Sequence, residues 1–186
     1  MVPITALWLP ILLSAVIVFV ASSILHMMLP YHRSDYRRLP DEDRVLDALR
    51  TAAVTPGRVY HFPYTTHKEM KSPAAIERFK RGPVGLLTVI RSGPPAMGKY
   101  LGLWFAFCLL MSIVVGCFTA VTHSPGADHH EIFHFAGVTA FVGYGIGQLP
   151  DSIWKGQTWG VTLKHVFDGL IYALLTAETF ALLWPK

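Results

Sequence analysis

Charged residues are scarce in this chain, and they are missing altogether from two long stretches. Asp, Glu, Lys and Arg make up 15% of the 186 residues, whereas apolar types make up 52%. Residues 4–29 and 100–122 contain none of the four charged types. Each stretch exceeds the roughly 20 residues that an α-helix needs to cross the hydrocarbon core of a bilayer. This composition excludes a small soluble globule and predicts membrane-spanning helices.

Cysteine is also nearly absent. The two cysteines, Cys108 and Cys117, lie in one apolar stretch. Their nine-residue spacing directs them to opposite faces of a helix, so they cannot bridge each other. The chain has no CxxC pair, which excludes a disulfide framework.

Two further spans are predicted from weaker apolar runs, the last of which carries Asp168 and Glu178. We expect an all-α fold, a bundle of four transmembrane helices that forms a single integral membrane domain over residues 1–186. The expected spans are residues 4–29, 100–122, 131–149 and 166–184.

Residues 30–99 are predicted to form a partly helical insertion between the first two spans. An acidic turn after Pro40 precedes an amphipathic pattern, and Ser72-Pro73 is typical of a helix start, with a helix expected through Arg81. Between these helices residues 58–64 favour an extended strand, and residues 84–90 form an apolar run too short to span a membrane.

The distribution of basic residues predicts the orientation. The insertion contains 13 of the 16 Lys and Arg, the turn after the third span contains Lys155 and Lys164, and the other side has only Lys186. The positive-inside rule makes the insertion cytoplasmic and puts both termini outside. The net charge of +4 is therefore explained by membrane topology, and it is no argument for nucleic acid as a partner.

His130-Glu131-Ile132-Phe133-His134 matches the H-E-x-x-H pattern of zinc peptidases, with Glu131 as the candidate catalytic base. A third ligand must come from the same membrane face, and Glu178, His123 and His129 are the candidates. Asp168-Gly169 resembles the partner motif of intramembrane zinc peptidases but is predicted near the opposite face. An alternative is that Asp128 and Glu131 simply begin a helix at about His129.

A carboxylate inside a membrane span is energetically costly, so Asp168 and Glu178 are expected to have a structural or functional role. One hypothesis is a hydrogen-bond network of Gln148, His165 and Asp168 near the inner face; another is a proton or ion relay. Haem is a further possibility, because histidines are predicted in pairs on different helices near each face. The inner pair is His26 and His165, and the outer pair is His123 and His134.

Small residues predict close helix packing in the third span. Gly137, Ala140, Gly143 and Gly147 form a thin edge that suits a partner helix, either in this chain or in another membrane subunit. The lipid bilayer itself is the other expected partner.

Two phrases of the sequence carry a resemblance: MKSPAAIERFKRGPVGLLTVIRSGPPAMGKYLGLW (70–104) and DSIWKGQTWGVTLKHVFDGLIYALL (151–175). The chain resembles an uncharacterised group of small bacterial four-helix integral membrane proteins. The resemblance implies a bacterial cytoplasmic membrane and no activity.

The leading functional hypothesis is a non-enzymatic structural or accessory membrane component, within a larger complex. The alternatives are a metal- or haem-binding redox component, a small transporter and an intramembrane zinc peptidase.

Overall fold

The computed structural model describes residues 1–186, and the chain is mostly helical. In chain order its α-helices are α1 (Trp8–Ser23), α2 (Glu42–Thr51), α3 (Pro73–Arg81), α4 (Met97–Thr122), α5 (His129–Tyr144), α6 (Leu149–Trp154) and α7 (Trp159–Leu182). Two strands, β1 (Arg58–Phe62) and β2 (Gly85–Val89), pair in an antiparallel sheet. The expected all-α fold therefore also contains one small two-stranded sheet.

Four helices are long and apolar enough to cross a membrane: Ile4–Met28, Met97–Thr122, His129–Trp154 and Trp159–Leu182. The first adds a 3-10 turn before α1 and a π-helical turn, Ile24–Met28, after it. The third consists of α5, a 3-10 turn and α6. Large apolar side chains remain exposed on these helices, as lipid-facing surfaces require, for example Trp8, Leu103, Phe118, Val138 and Leu163.

The long helices pack through small residues and a few polar contacts. Helix α5 lies against α7, α1 lies against α4 and α7, and α4 also contacts α5. Ala136, Ala140, Ala173 and Ala177 are almost fully buried, which lets the α5 and α7 backbones approach closely. The Ser14 hydroxyl donates to Ser112 Oγ at 3.0 Å between α1 and α4.

The small-residue edge of the third span is occupied largely within the chain. A Cβ added to Gly137 would lie 3.2 Å from Ala177 Cβ, and one added to Gly143 would overlap the Met111 side chain. Ala140 is fully buried. Only Gly147 has no neighbouring helix within 4 Å. Gly137 and Gly143 therefore pack against α7 and α4 of the same chain.

The helices define two ends. At the terminal end, Val2 N donates to Ala120 O, Gly126 N donates to Pro185 O, and the Trp184 indole donates to Ser124 O. The first residues, the α4–α5 turn and the last residues therefore lie together. The opposite end, which we call the cluster end after a group of histidines there, contains residues 24–35 and the start of α7.

The insertion forms a compact unit of its own, Tyr36–Pro95. It contains α2, α3 and the two-stranded sheet, and the Ser72 hydroxyl accepts a hydrogen bond from Ala75 N at the start of α3 as the sequence predicts. The unit begins at Tyr36 rather than at residue 30. Residues 30–35 instead belong with the long helices, because Tyr31 and His32 contact α7.

The fourth long helix begins at Trp159, earlier than the predicted start at residue 166. The predicted span starts after Lys164 and His165, with Lys164 in the preceding turn, because the apolar run begins at Val166. Both residues lie within α7 because Lys164 finds acceptors and His165 packs against other histidines. The third span likewise continues past residue 149, to Trp154.

Candidate metal centre

Four potential metal ligands meet at the cluster end: His26, His32, His165 and Asp168. One ligand atom from each lies within 4.8 Å of the other three. It is the one group of three or more His, Cys, Asp or Glu side chains in the chain with this spacing. We call these four residues the histidine cluster.

The backbone after α1 folds back so that two of the ligands reach α7. His26 lies in the π-helical turn, in which Leu29 N donates to Ile24 O. Leu29 is extended, as is favoured for a residue before proline, and Pro30 then begins a 3-10 turn that ends at Ser34. His32 lies in that turn and packs on His26, with ring centroids 4.1 Å apart. Single π-helical turns are often found at functional sites.

Asp168 is the centre of the cluster. It is 1% exposed, and the Tyr31 hydroxyl donates to its Oδ1 atom. Its Oδ2 atom lies 2.8 Å from His32 Nε2 and 3.8 Å from His26 Nε2. His165 precedes Asp168 by one helical turn and stacks on His32, with ring centroids 5.4 Å apart. The carboxylate is thus fixed by Tyr31 on one oxygen and faces imidazoles with the other.

Asp35 and Lys164 support the cluster from outside. Asp35 Oδ2 lies 2.5 Å from His32 Nδ1, and its Oδ1 accepts from Lys164 Nζ at 2.7 Å. Lys164 Nζ also donates to Tyr31 O and Ser34 Oγ. Lys164 therefore ties the start of α7 to the turn that carries His32.

Two pKa shifts at this end follow from these contacts. Burial alone would raise the pKa of Asp35, but hydrogen bonds from Lys164 and His32 outweigh burial and hold that pKa below its ordinary value. Burial and then the hydrogen bond to Asp168 raise the pKa of Tyr31. Asp35 is therefore charged and Tyr31 is protonated at neutral pH.

The supporting contacts orient the imidazole rings toward Asp168. His26 Nδ1 lies 3.1 Å from Ser22 O, which can only accept, so the proton belongs on Nδ1 and the lone pair on Nε2. His32 Nδ1 lies beside Asp35 in the same way, while its Nε2 is hydrogen-bonded to Asp168, a contact that a bound metal ion would replace. Metal-binding histidines are typically oriented like this, with the second nitrogen donating to a carbonyl or carboxylate.

The donor set fits a divalent transition metal. Imidazole nitrogens with one carboxylate oxygen suit zinc and neighbouring first-row ions. Donor atoms that share one zinc ion lie about 3 to 4 Å apart, because each is about 2 Å from the ion. In the cluster, His32 Nε2 and Asp168 Oδ2 are 2.8 Å apart, and the four ligand atoms all lie within 4.8 Å of one another. These distances include the range expected for a shared ion.

A cavity of about 460 Å³ adjoins the cluster and lies among α1, α4, α5 and α7. His26, His165 and Asp168 form part of its wall, and the rest of the wall is mostly apolar or aromatic. Gln148 also lines this cavity. The three residues of the predicted inner polar network therefore surround one space. Gln148 itself bonds only weakly, to Tyr144 O at 3.5 Å.

The H-E-x-x-H residues lie at the terminal end. His134 Nε2 and His130 Nε2 are 3.0 Å apart, and Asp128 accepts from His130 N at the predicted helix start. Glu178 lies 3.5 Å from His129 Nε2 instead of joining His130 and His134. No third potential ligand completes a group with this pair. Glu131 is exposed, and Asp168 lies at the other end of the helices.

The two histidine pairs considered for haem have different surroundings. His26 and His165 lie face to face, with centroids 6.1 Å apart and planes at 22°. Two axial ligands of one iron instead point end to end from opposite faces of the porphyrin. At the terminal end, His123 packs on Phe135 and Trp184, whereas His134 contacts His130.

Tyr31, His32 and Asp35 are site residues that the sequence pattern did not predict. All three were assigned to the insertion because they follow the apolar run of the first span. Their depth could have predicted them as site residues. They lie just beyond the apolar run, at the membrane face that His165 and Asp168 were also predicted to reach.

Known proteins give no further guide to this site. Comparison with family models, curated proteins and solved structures found no match.

Proposed function

We propose that this chain is an integral membrane protein that holds one divalent transition-metal ion in the histidine cluster. The observation that supports the proposal is the convergence of His26, His32, His165 and Asp168 from two separate parts of the chain. Of the hypotheses that the sequence left open, metal binding is the one that this geometry favours.

A hydrogen-bond network alone accounts for less of the arrangement. Asp168 needs only a few donors to be stable when buried, and Tyr31 and His32 already supply them. The orientation of His26 by Ser22 O adds little to such a network, because His26 Nε2, which carries the lone pair in this tautomer, lies 3.8 Å from Asp168 Oδ2 and is beyond hydrogen-bond distance. A cation between these atoms would use both the lone pair and the negative charge.

The proposed role is structural rather than catalytic. Four protein ligands fill the coordination of a zinc ion, whereas catalytic zinc sites keep a position for water. Such an ion would join the turn after α1 to α7 and stiffen the arrangement of the long helices. This role agrees with the non-enzymatic accessory component expected from the sequence.

The proposal includes the finer localisation expected from the sequence. The chain would form a four-helix bundle in a bacterial cytoplasmic membrane, with the insertion and the histidine cluster on the cytoplasmic side. The clustering of basic residues in the insertion supports this orientation. The resemblance to small bacterial four-helix membrane proteins supports the choice of membrane.

The test is metal analysis of the full-length protein in detergent. Metals are removed with EDTA, and the protein is then dialysed against buffered Zn²⁺. We expect inductively coupled plasma mass spectrometry to find one zinc ion per chain. His165→Ala should lose this zinc, because one of four ligands is gone. His134→Ala, the same change at the terminal end, should retain it.

Two results would contradict the proposal. One is a wild-type protein that holds no stoichiometric zinc under these conditions. The other is loss of zinc in His134→Ala with retention in His165→Ala, which would assign the metal to the H-E-x-x-H residues.

A further inference from the structure

We propose that the cavity beside the histidine cluster binds a neutral, membrane-soluble ring compound with hydrogen-bond-accepting oxygens, of the chemical class of the quinones. The inference goes beyond the metal site and does not depend on it. It rests on the cavity and on Tyr172, which is not a member of the cluster.

The size and lining of the cavity suit a small apolar ligand. Its volume of about 460 Å³ falls within the range of roughly 300–1,000 Å³ that is usual for small-molecule sites. Met27, Met97 and Tyr100 line it and are each more than half exposed, so the cavity reaches the outer surface of the helices. A ligand dissolved in the membrane could therefore enter from the side.

Tyr172 supplies the specific signal for a ligand. It lines the cavity and is 4% exposed, and its hydroxyl is the one buried side-chain polar atom in the chain without a hydrogen-bond partner. A buried donor without an acceptor has lost its hydrogen bonds to water and destabilises the folded protein. An acceptor oxygen on a bound molecule would remove this destabilisation.

Neighbouring polar groups in the wall are already paired. The Trp104 indole donates to Ser22 Oγ at 2.7 Å, and the Tyr144 hydroxyl contacts Cys108 O at 3.5 Å. Tyr172 is thus distinguished from its neighbours by having no partner.

The aromatic wall favours a flat ring over a lipid acyl chain. The Tyr172 ring lies 6.3 Å from Trp104 and 5.6 Å from Tyr144, centroid to centroid, and both pairs meet edge to face. Such a wall offers ring faces and edges for stacking. A quinone has a flat ring, an apolar tail and two carbonyl acceptors.

The charge at the end of the cavity favours a neutral head group. Asp168 carries the carboxylate there, so an anionic head such as a fatty acid would meet a like charge. His165 lies beside it and offers a ring N–H to a second carbonyl of the ligand.

The test uses full-length protein in detergent, either stripped of metal with EDTA or loaded with Zn²⁺, and titrated calorimetrically with decylubiquinone, a short-tailed quinone. Protein-free micelles give the blank. We expect saturable binding of one quinone per chain. Tyr172→Phe should weaken it about tenfold, the effect expected from one hydrogen bond, and should fold normally because that hydroxyl has no partner.

A matched pair of substitutions in α4 locates the binding. Leu101 lines the cavity, so Leu101→Trp should fill it and abolish binding. Leu103 is 59% exposed and is not part of the wall, so Leu103→Trp should leave binding unchanged. Binding that survives Leu101→Trp, or that is equally strong in Tyr172→Phe, would overturn the proposal.

Oleate serves as the second probe in the same titration. Saturable oleate binding that Leu101→Trp abolishes, with no quinone binding, would overturn the quinone class and assign the cavity to acyl chains. Each titration is made on both metal-free and zinc-loaded protein, so its outcome is separate from that of the zinc analysis.

Discussion

Asp168 would be costly inside a membrane protein if it had no partners, and the side chains around it show how the cost is offset. Tyr31 donates to one oxygen, and His32 and His26 face the other. None of these partners lies on α7. The position of the carboxylate therefore depends on the turn after α1. A change that moves this turn should also change the geometry of the histidine cluster.

Asp35→Asn should weaken zinc binding without removing a ligand. Asp35 accepts from both His32 Nδ1 and Lys164, and loss of such an outer partner typically costs 10–100-fold in metal affinity. The measurement is competition for Zn²⁺ with a chelator of known affinity.

Asp151→Asn is the matched control for Asp35→Asn. Asp151 pairs with Lys155 at 2.7 Å but touches no cluster residue, so zinc affinity should stay at the wild-type value. Equal zinc affinity in Asp35→Asn and the wild-type protein would show that Asp35 does not orient His32.

At the scale of elements, the third span is interrupted where it meets α7 most closely. Helix α5 ends at Tyr144, and a Cβ added to Gly169 would lie 2.5 Å from Gly145 Cα. Two glycines facing each other let these backbones approach, and Asp168 immediately precedes this contact. The helix start at Asp128 could be read from the sequence because capping is local. The contact between Gly145 and Gly169 could not be predicted from the sequence, since it joins two separate elements.

Gly169→Ala should destabilise the protein by about 1–3 kcal/mol, because the added methyl meets backbone atoms that cannot move without shifting a helix. Unfolding in detergent by heat or denaturant measures the effect. Gly102→Ala in α4 is the control, since a Cβ there meets nothing within 4 Å.

Gly102→Ala should be neutral or stabilising by up to about 1 kcal/mol, because alanine favours helix more than glycine does. If the two substitutions have the same effect, the close approach of Gly145 and Gly169 is not what holds α5 and α7 together.

At the scale of the whole molecule, the first and last residues of the chain lie at the same end of the long helices. The α4–α5 turn joins them there through Gly126 and Ser124. With four spans, this arrangement agrees with the even count of crossings that the sequence predicts. The basic residues lie overwhelmingly in segments that connect the helices at the other end.

Cysteine labelling should show that these two ends lie on opposite sides of the membrane. In a chain with Cys108→Ala and Cys117→Ala, an impermeant maleimide should label Pro125→Cys on intact cells. Thr158→Cys should react only after the membrane is opened. Both positions are exposed, and neither requires the positive φ of the adjacent Gly126 or nearby Gly156.

Two patterns of labelling would contradict the topology. The reverse pattern would invert the orientation, so the insertion would not be cytoplasmic. Labelling of both positions on intact cells would mean that the third long helix does not cross the membrane.

The sequence by itself determined the four long apolar helices, because hydrophobic length is a property of consecutive residues. It also pointed to His26, His165 and Asp168 at one face, by counting depth along each helix. Only the tertiary structure decided that His32, 136 residues before Asp168, completes the cluster, and that Glu178 joins His129 instead of the H-E-x-x-H pair. The physical reason is that ligand geometry depends on how the turn after α1 and helix α7 pack, which no local pattern specifies.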